Sequence, residues 1–206
     1  MEQAAIAPPA HDAHPAHGAA ETSTGVTNTK LAMWIFLSSE CLLFGALIAT
    51  YLLYRSRSKG ISPSDVYNIP FTSATSFILL MSSLTMVLAL AAMQRADYRR
   101  AKIWLVATAL FGMTFIAGQI YEFTEFTRKG LTVDTNLFGS SFYLLTGLHG
   151  LHVTVGIVWL LSLWGLTTQG KLQQRHSETI EIAGLYWHFV DVVWIVIFTV
   201  VYLIPR

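Results

Sequence analysis

The chain has 206 residues, of which 53% are hydrophobic and only 12% are charged, and its mean hydropathy is +0.51. Soluble domains carry about 25% charged residues, so this composition excludes an ordinary water-soluble domain and predicts an integral membrane protein. The net charge of +1 gives no sign of nucleic-acid binding, and the single cysteine excludes a disulfide framework and a cysteine metal site.

Residues 1–29 are rich in alanine, proline, histidine and threonine and lack an apolar core, so we expect a disordered tail and not a signal peptide. Three histidines recur at every third position of this tail, at His11, His14 and His17. Their alanine and proline neighbours offer no fixed geometry, and we do not expect them to bind a metal. The membrane domain is predicted to cover residues 30–206.

Five apolar runs follow, and each is long enough to cross a bilayer as a helix, which takes about 20 residues. The connections between them are short, so successive helices are predicted to pack as an antiparallel bundle. The predicted fold is all-α, an integral membrane bundle of five transmembrane helices. The predicted spans are 31–54, 72–93, 103–124, 139–166 and 182–204.

The first four spans differ in the polar residues that they carry. The first contains a single acidic residue, Glu40, among apolar neighbours. The second is uncharged and rich in serine and threonine, which suits interhelical hydrogen bonds, so we assign it a structural role. The third carries Gln119 and Glu122 on one face, with Glu122 near the far end of the span, where water is expected to reach it. The fourth carries His149 and His152, three residues apart.

The fifth span is apolar enough to lie in lipid, yet it contains two ionisable residues, His188 and Asp191, three positions apart. Trp187 and Trp194 lie on the same face of this helix. Ionisable groups at membrane depth are costly, and they are usually retained for a partner or a function.

Depth along the helices predicts which of these residues meet. Counted at about 1.5 Å per residue from the N-terminal face, Glu40 and Asp191 lie about 14 Å deep and His188 about 9 Å deep. The fourth helix runs the other way and brings its two histidines to the same zone, whereas Glu122 reaches the opposite rim. We therefore predict one buried polar cluster. Its members are Glu40, His149, His152, His188 and Asp191, with Gln119, Glu122, Trp187 and Trp194 as secondary residues.

Three interpretations of this cluster compete on residue types alone. It can be structural, with buried carboxyls paired to histidine or tryptophan; apolar surroundings favour the neutral form of a carboxyl such as Glu40. The histidines could instead ligate haem, but two of the three share one helix face at an offset of only three residues. A proton or ion path of a transporter is the third interpretation, but the spans show no proline-interrupted pair of the kind found at transporter sites.

Four motifs occur along the chain, WIFLSSECLLFGALIATY (34–51), GQIYEF (118–123), GLHGLHVTVG (147–156) and YWHFVDVVWIVIF (186–198). In this order they resemble subunit III of the haem–copper oxidases, and the resemblance extends over all five spans. It implies the five-helix bacterial form, which lacks the first helix pair of longer members.

The resemblance implies an accessory subunit that carries no metal, haem or other cofactor of its own. It implies direct contact with subunit I, which holds the haems and copper and reduces O2 to water. Subunit II is implied as a further member of the same complex. The resemblance further implies phospholipids bound in a cleft and a contribution to proton uptake and durable turnover. It leaves open whether the complex belongs to a larger respiratory supercomplex. Two alternatives stay open, namely an accessory protein of a nitric oxide reductase and a stand-alone membrane assembly or lipid-binding protein.

Flanking charges indicate the orientation in the membrane. Seven lysines and arginines lie on the side of the N-terminus and six on the other side, which favours a cytoplasmic N-terminus by a small margin. The family's orientation in the bacterial plasma membrane agrees and puts the C-terminus outside. The resemblance leaves the electron donor, cytochrome c or a quinol, to subunit II.

Overall fold

The computed structural model describes residues 25–57, 68–130, 132 and 137–204. Most of the predicted tail, including His11, His14 and His17, lies outside these residues. Within them, five long helices are each long and apolar enough to cross a membrane, which confirms the predicted all-α membrane bundle. The helices are α1 Asn28–Arg57, α2 Ile69–Gln94, α3 Tyr98–Arg128, α4 Leu137–Thr168 and α5 Ser177–Phe198. A π-helical turn, Thr199–Leu203, continues α5.

Capping side chains determine where α2 and α3 begin. The side chain of Asn68 accepts a hydrogen bond from the backbone N–H of Phe71 at 3.3 Å, and that of Asp97 accepts one from Arg100 at 3.1 Å. Such caps satisfy N–H groups that have no partner within the helix. The predicted spans begin three and five residues later, at 72 and 103. For α3 the reason is that its first turns carry Arg99, Arg100 and Lys102, which lower the local hydropathy.

Helix α1 lies at the edge of the bundle. Helices α2, α3, α4 and α5 pack on one another, and α1 packs mainly against α4 and α5. Three buried residues of α1 recur every seventh position, Leu37, Phe44 and Tyr51, and Glu40 lies in the same seam. This spacing is typical of a coiled-coil contact. The opposite face is open, and Leu42 is 78% exposed.

Both ends of α1 are tied to α5. Near the start of α1, Lys30 Nζ lies 2.8 Å from a carboxylate oxygen of Glu181. At the other end Arg55, which directly follows the predicted span 31–54, is 9% exposed. Its guanidinium donates hydrogen bonds to the carbonyl oxygens of Val200, at 2.8 Å, and Ile204. Carbonyls at a helix C-terminus lack partners within the helix, and a cation there is favourable.

Candidate functional site

The five residues predicted to form one cluster fall into three arrangements. Glu40 pairs with His152, His188 and Asp191 share a serine of α2, and His149 packs among aromatic rings. No hydrogen bond joins the three arrangements within the described part of the chain. Packing connects two of them: the ring of Phe44 lies edge-on to the rings of His152 and His149, with centroids 5.2 and 6.5 Å away.

Glu40 and His152 link α1 to α4. Nε2 of His152 lies 3.2 Å from Oε2 of Glu40, and each side chain is 14% exposed. Nδ1 of the same ring lies 2.8 Å from the carbonyl oxygen of Leu148, one turn earlier on α4. Because a carbonyl can only accept, Nδ1 carries a hydrogen, and the bond between Nε2 and Glu40 therefore holds one proton. The pair is either a carboxylic acid with a neutral imidazole or a carboxylate with an imidazolium.

Ser83, His188 and Asp191 form a second group between α2 and α5. The Ser83 hydroxyl donates to Oδ2 of Asp191, and its oxygen lies 2.9 Å from Nδ1 of His188. With the serine hydrogen directed to the carboxylate, the serine oxygen accepts from Nδ1–H of the histidine. One short side chain reaches both partners because they lie three residues apart on the same face of α5.

His149 is fully buried and enclosed by rings. It stacks on Trp194 with centroids 4.9 Å apart and an interplanar angle of 24°, and Phe115 lies edge-on at 5.8 Å. Neither ring nitrogen has a hydrogen-bond partner among the described residues. His149 therefore contributes packing at the junction of α3, α4 and α5.

This geometry favours the structural interpretation over haem ligation. His152 uses both ring nitrogens in hydrogen bonds, and aromatic rings enclose His149. Across residues 25–57, 68–130, 132 and 137–204, no three His, Cys, Asp or Glu side chains converge as a metal-binding group.

Glu122 lies toward the far end of the bundle, but it is only 6% exposed and does not face water as expected. Thr72 of α2 donates a hydrogen bond to Oε1, and the hydroxyl of Tyr202 donates to Oε2 at 3.3 Å. The turn that continues α5 supplies Tyr202, so the end of one helix covers a carboxyl of another. Gln119, one turn away, donates from Nε2 to the carbonyl oxygen of Thr146 at 2.6 Å.

The sequence analysis expected interhelical hydrogen bonds from the serines and threonines of α2, but it did not identify which of these residues form them. The indole N–H of Trp187 donates to Ser82, and that of Trp194 donates to Ser76, both at 2.8 Å. A detectable signal was the recurrence of serine and threonine at spacings of three, four and seven residues, which places them near one another on the helix surface. The hydroxyl residues that reach other helices are Thr72, Ser76, Ser82, Ser83 and Thr85.

Replacing Ser82 by alanine tests whether these bonds stabilise the bundle. The change leaves the buried N–H of Trp187 without its acceptor, and interhelical hydrogen bonds in membranes are worth about 0.6–1.7 kcal/mol. We expect a loss of that size in the free energy of unfolding, measured by thermal unfolding. Ser162→Ala is the control, since this exposed hydroxyl bonds only to its own helix. Equal stability of the two variants would contradict the role of Ser82.

A groove of about 330 Å³ opens between α1, α4 and α5, beside the pair of Glu40 and His152. Its walls are mainly apolar and aromatic, which suits a hydrocarbon chain. The hydroxyl of Tyr186, on one wall, donates to the carbonyl oxygen of His152 at 3.0 Å. The lining residues are Met33, Phe36, Leu151, His152, Val155, Trp159 and Tyr186.

Comparison with known proteins places the chain in a family. A sequence profile described as cytochrome c oxidase subunit III matches residues 15–205. The chain is 40% identical over 177 residues to cytochrome c oxidase subunit 3 of Bacillus sp. (strain PS3), covering 85% of this chain and 86% of the relative. It is 38% identical over 184 residues to quinol oxidase subunit 3 of Bacillus subtilis (strain 168), covering 89% and 90%. It is 37% identical over 195 residues to cytochrome bo(3) ubiquinol oxidase subunit 3 of Pseudomonas aeruginosa, covering 94% and 92%.

These names support the oxidase interpretation and give no support to the nitric oxide reductase alternative. The profile match spans all five helices of the bundle. The chain belongs to the cytochrome c oxidase subunit III family.

Proposed function

We propose that the chain is a non-catalytic, accessory subunit of a haem–copper terminal oxidase that reduces O2 to water in the bacterial plasma membrane. It binds directly to subunit I, which holds the haems and copper, with subunit II in the same complex. In this proposal it stabilises subunit I and supports its proton uptake, and it carries no redox centre. The support is family membership together with relatives named as subunit 3 of cytochrome c and quinol oxidases.

The observation that carries the non-catalytic role is the way in which the polar side chains bind one another. Glu40 bonds to His152 of another helix, Glu122 to Thr72, and Asp191 to Ser83. Hydrogen bonds between helices hold a membrane bundle in one arrangement. Ionisable groups that form hydrogen bonds with one another between helices suit a subunit that stabilises the catalytic subunit and does no chemistry itself.

We assign a positioning role to the residues of the predicted cluster, which fix the rotation and register of their helices. A polar residue in an apolar seam specifies register, and Glu40 holds that place in the seam of α1. The assigned residues are Glu40, His149, His152, His188 and Asp191, with Gln119, Glu122, Trp187 and Trp194 as secondary members.

Structural phospholipids are proposed as further partners. The groove between α1, α4 and α5 supports this, because its volume of about 330 Å³ and its rings of Phe36, Trp159 and Tyr186 suit an acyl chain. In the proposed orientation the N-terminus is cytoplasmic and the C-terminus lies outside. The groove then opens toward the cytoplasmic half of the bilayer, since Phe36 is near the start of α1.

The choice of electron donor is proposed to reside in subunit II. Relatives named for cytochrome c and for quinol are almost equally similar to this chain, at 40% and 38% identity. A subunit that is almost equally similar to relatives from cytochrome c oxidases and from quinol oxidases is a poor candidate for the site that binds the electron donor.

Removing this chain tests the accessory role. We expect an oxidase purified from a strain without it to keep most of its initial O2 reduction and to lose activity during sustained turnover, because the redox centres reside elsewhere. An oxygen electrode measures both, and re-expression of the chain should restore durable turnover. Complete loss of initial activity, with the haem spectrum of subunit I intact, would contradict the proposal.

Purification through a tag on this chain, in mild detergent, tests the assembly. It should recover a haem-bearing subunit with the absorption spectrum of an oxidase. Recovery of the chain without any haem protein would refute membership of the complex.

A further inference from the structure

The group formed by Ser83, His188 and Asp191 lies at the surface of the bundle, within the membrane-spanning part of α2 and α5. His188 is midway along the span Gln174–Leu203, and Ser83 is near the middle of the span Ile69–Gln94. Asp191 is buried, whereas Ser83 and His188 are partly exposed in the groove between α2 and α5. The other ring nitrogen of His188, Nε2, has no hydrogen-bond partner among the described residues.

The direction of the hydrogen bonds in this group determines which kind of partner Nε2 requires. Ser83 donates to Asp191, so the serine oxygen accepts from Nδ1–H of His188. In the neutral ring, Nε2 then holds a lone pair and needs a donor. Asp191 and Ser83 orient the ring from the inside, much as an outer carboxylate orients a ligating histidine.

Lipid cannot supply that donor. The hydrocarbon core offers no hydrogen-bonding group, and headgroups begin about 15 Å from the bilayer centre. Polar side chains within a membrane almost always face protein or a water-filled cavity, because facing lipid is costly. The residues one turn from the pair, Val87 and Val192, are exposed and apolar, so they can contact lipid or another helix equally well. The unpaired Nε2 beside them is the group that favours a helix with a polar side chain.

We propose that the groove between α2 and α5, centred on Ser83, His188 and Asp191, is the surface by which this subunit docks on the haem-bearing subunit. The facing transmembrane helix presents a hydroxyl, amide or indole donor to Nε2 of His188. The inference rests on the proposed function, because the partner is the oxidase subunit. It adds the face of the bundle and the hydrogen bond that define the contact.

Photo-cross-linking in intact membranes tests the surface. A benzoylphenylalanine at Val87 or Val192 is compared with the same probe at Leu151 or Val158 of α4, and all four positions are between 50% and 60% exposed. We expect the two groove positions to cross-link to the haem-bearing subunit and the two α4 positions to do so at background level.

Other cross-linking results would overturn the docking surface, and they can be told apart from a failure of the proposed function. Cross-links to that subunit from the α4 positions alone would overturn the docking surface and leave the proposed function intact. Cross-links from the groove positions to lipid alone would also overturn it. Failure of the proposed function is recognised separately, by purification of the tagged chain without any haem protein.

The hydrogen bond is tested with His188→Leu, for which Ser83→Ala is the matched control. The first removes Nε2, whereas the second keeps Nε2 and removes the internal hydroxyl that binds the ring and Asp191. We expect His188→Leu to lower retention of this subunit in the detergent-washed complex about three- to tenfold, and Ser83→Ala to lower it much less. Retention equal to the wild type in His188→Leu, or equal losses in both variants, would overturn the predicted hydrogen bond.

Discussion

Replacing Glu40 by alanine is expected to weaken the attachment of α1, whereas replacing it by glutamine is expected to leave the bundle assembled. The bond between Glu40 and Nε2 of His152 needs one proton, and Nδ1 is already committed to the carbonyl of Leu148. A glutamine amide donates to Nε2 with nearly the same shape, so the partner remains satisfied. Alanine leaves a largely buried ring nitrogen without a partner, which costs about 1–3 kcal/mol.

The effect on assembly is expected to be large because, apart from the polar contacts at its two ends, α1 buries little of its surface. Its buried apolar residues recur only once every two turns, and most of its surface faces outward. The measurement is the fraction of this subunit that remains in the purified oxidase, together with its thermal unfolding. Ser39→Ala, on the exposed face of the same helix, is the control and should behave as the wild type. Equal loss of assembled complex with glutamine and with alanine would contradict this account of the pair.

Gly156→Ala is expected to destabilise the centre of the bundle. An added Cβ would lie 2.8 Å from Cε3 and Cζ3 of Trp187 and 3.3 Å from Cε1 of Tyr186. The indole cannot move away freely, because it is buried and its N–H is bonded to Ser82. Overpacking of this kind costs about 1–3 kcal/mol, so we expect a lower unfolding temperature and a lower yield of complex.

The matched control is Gly165→Ala on the same helix, where an added Cβ would meet nothing within 4 Å. Since alanine is the better helix former by about 1 kcal/mol, this variant should be as stable as the wild type or slightly more so. Thermal unfolding of the two purified variants, side by side, decides the matter. Pairing Gly156→Ala with Trp187→Phe should recover part of the loss, as residues in contact do not behave additively. Equal unfolding temperatures for the two alanine variants would show that the contact with Trp187 is not tight.

Depth alone brought Glu40 and His152 to the same level, and the structure places them in contact. The same reasoning did not separate His188 and Asp191 from that pair, because level says nothing about rotation around the helix axis. These helices are apolar on nearly all sides, so hydropathy does not reveal which face turns inward. The burial of Glu122 escaped detection for a similar reason, since its cover comes from Tyr202, 80 residues later in the chain.

The sequence by itself determined the class of protein, the number of spans and the family. These depend on local properties, namely the length of each apolar run and the residues in short motifs. Only the tertiary structure decided which polar groups pair, that α1 stands at the edge, and that Arg55 closes the end of α5. The physical reason is that a hydrogen bond between two helices depends on their relative rotation and register. The packing of all five helices determines both, and no single stretch of sequence does.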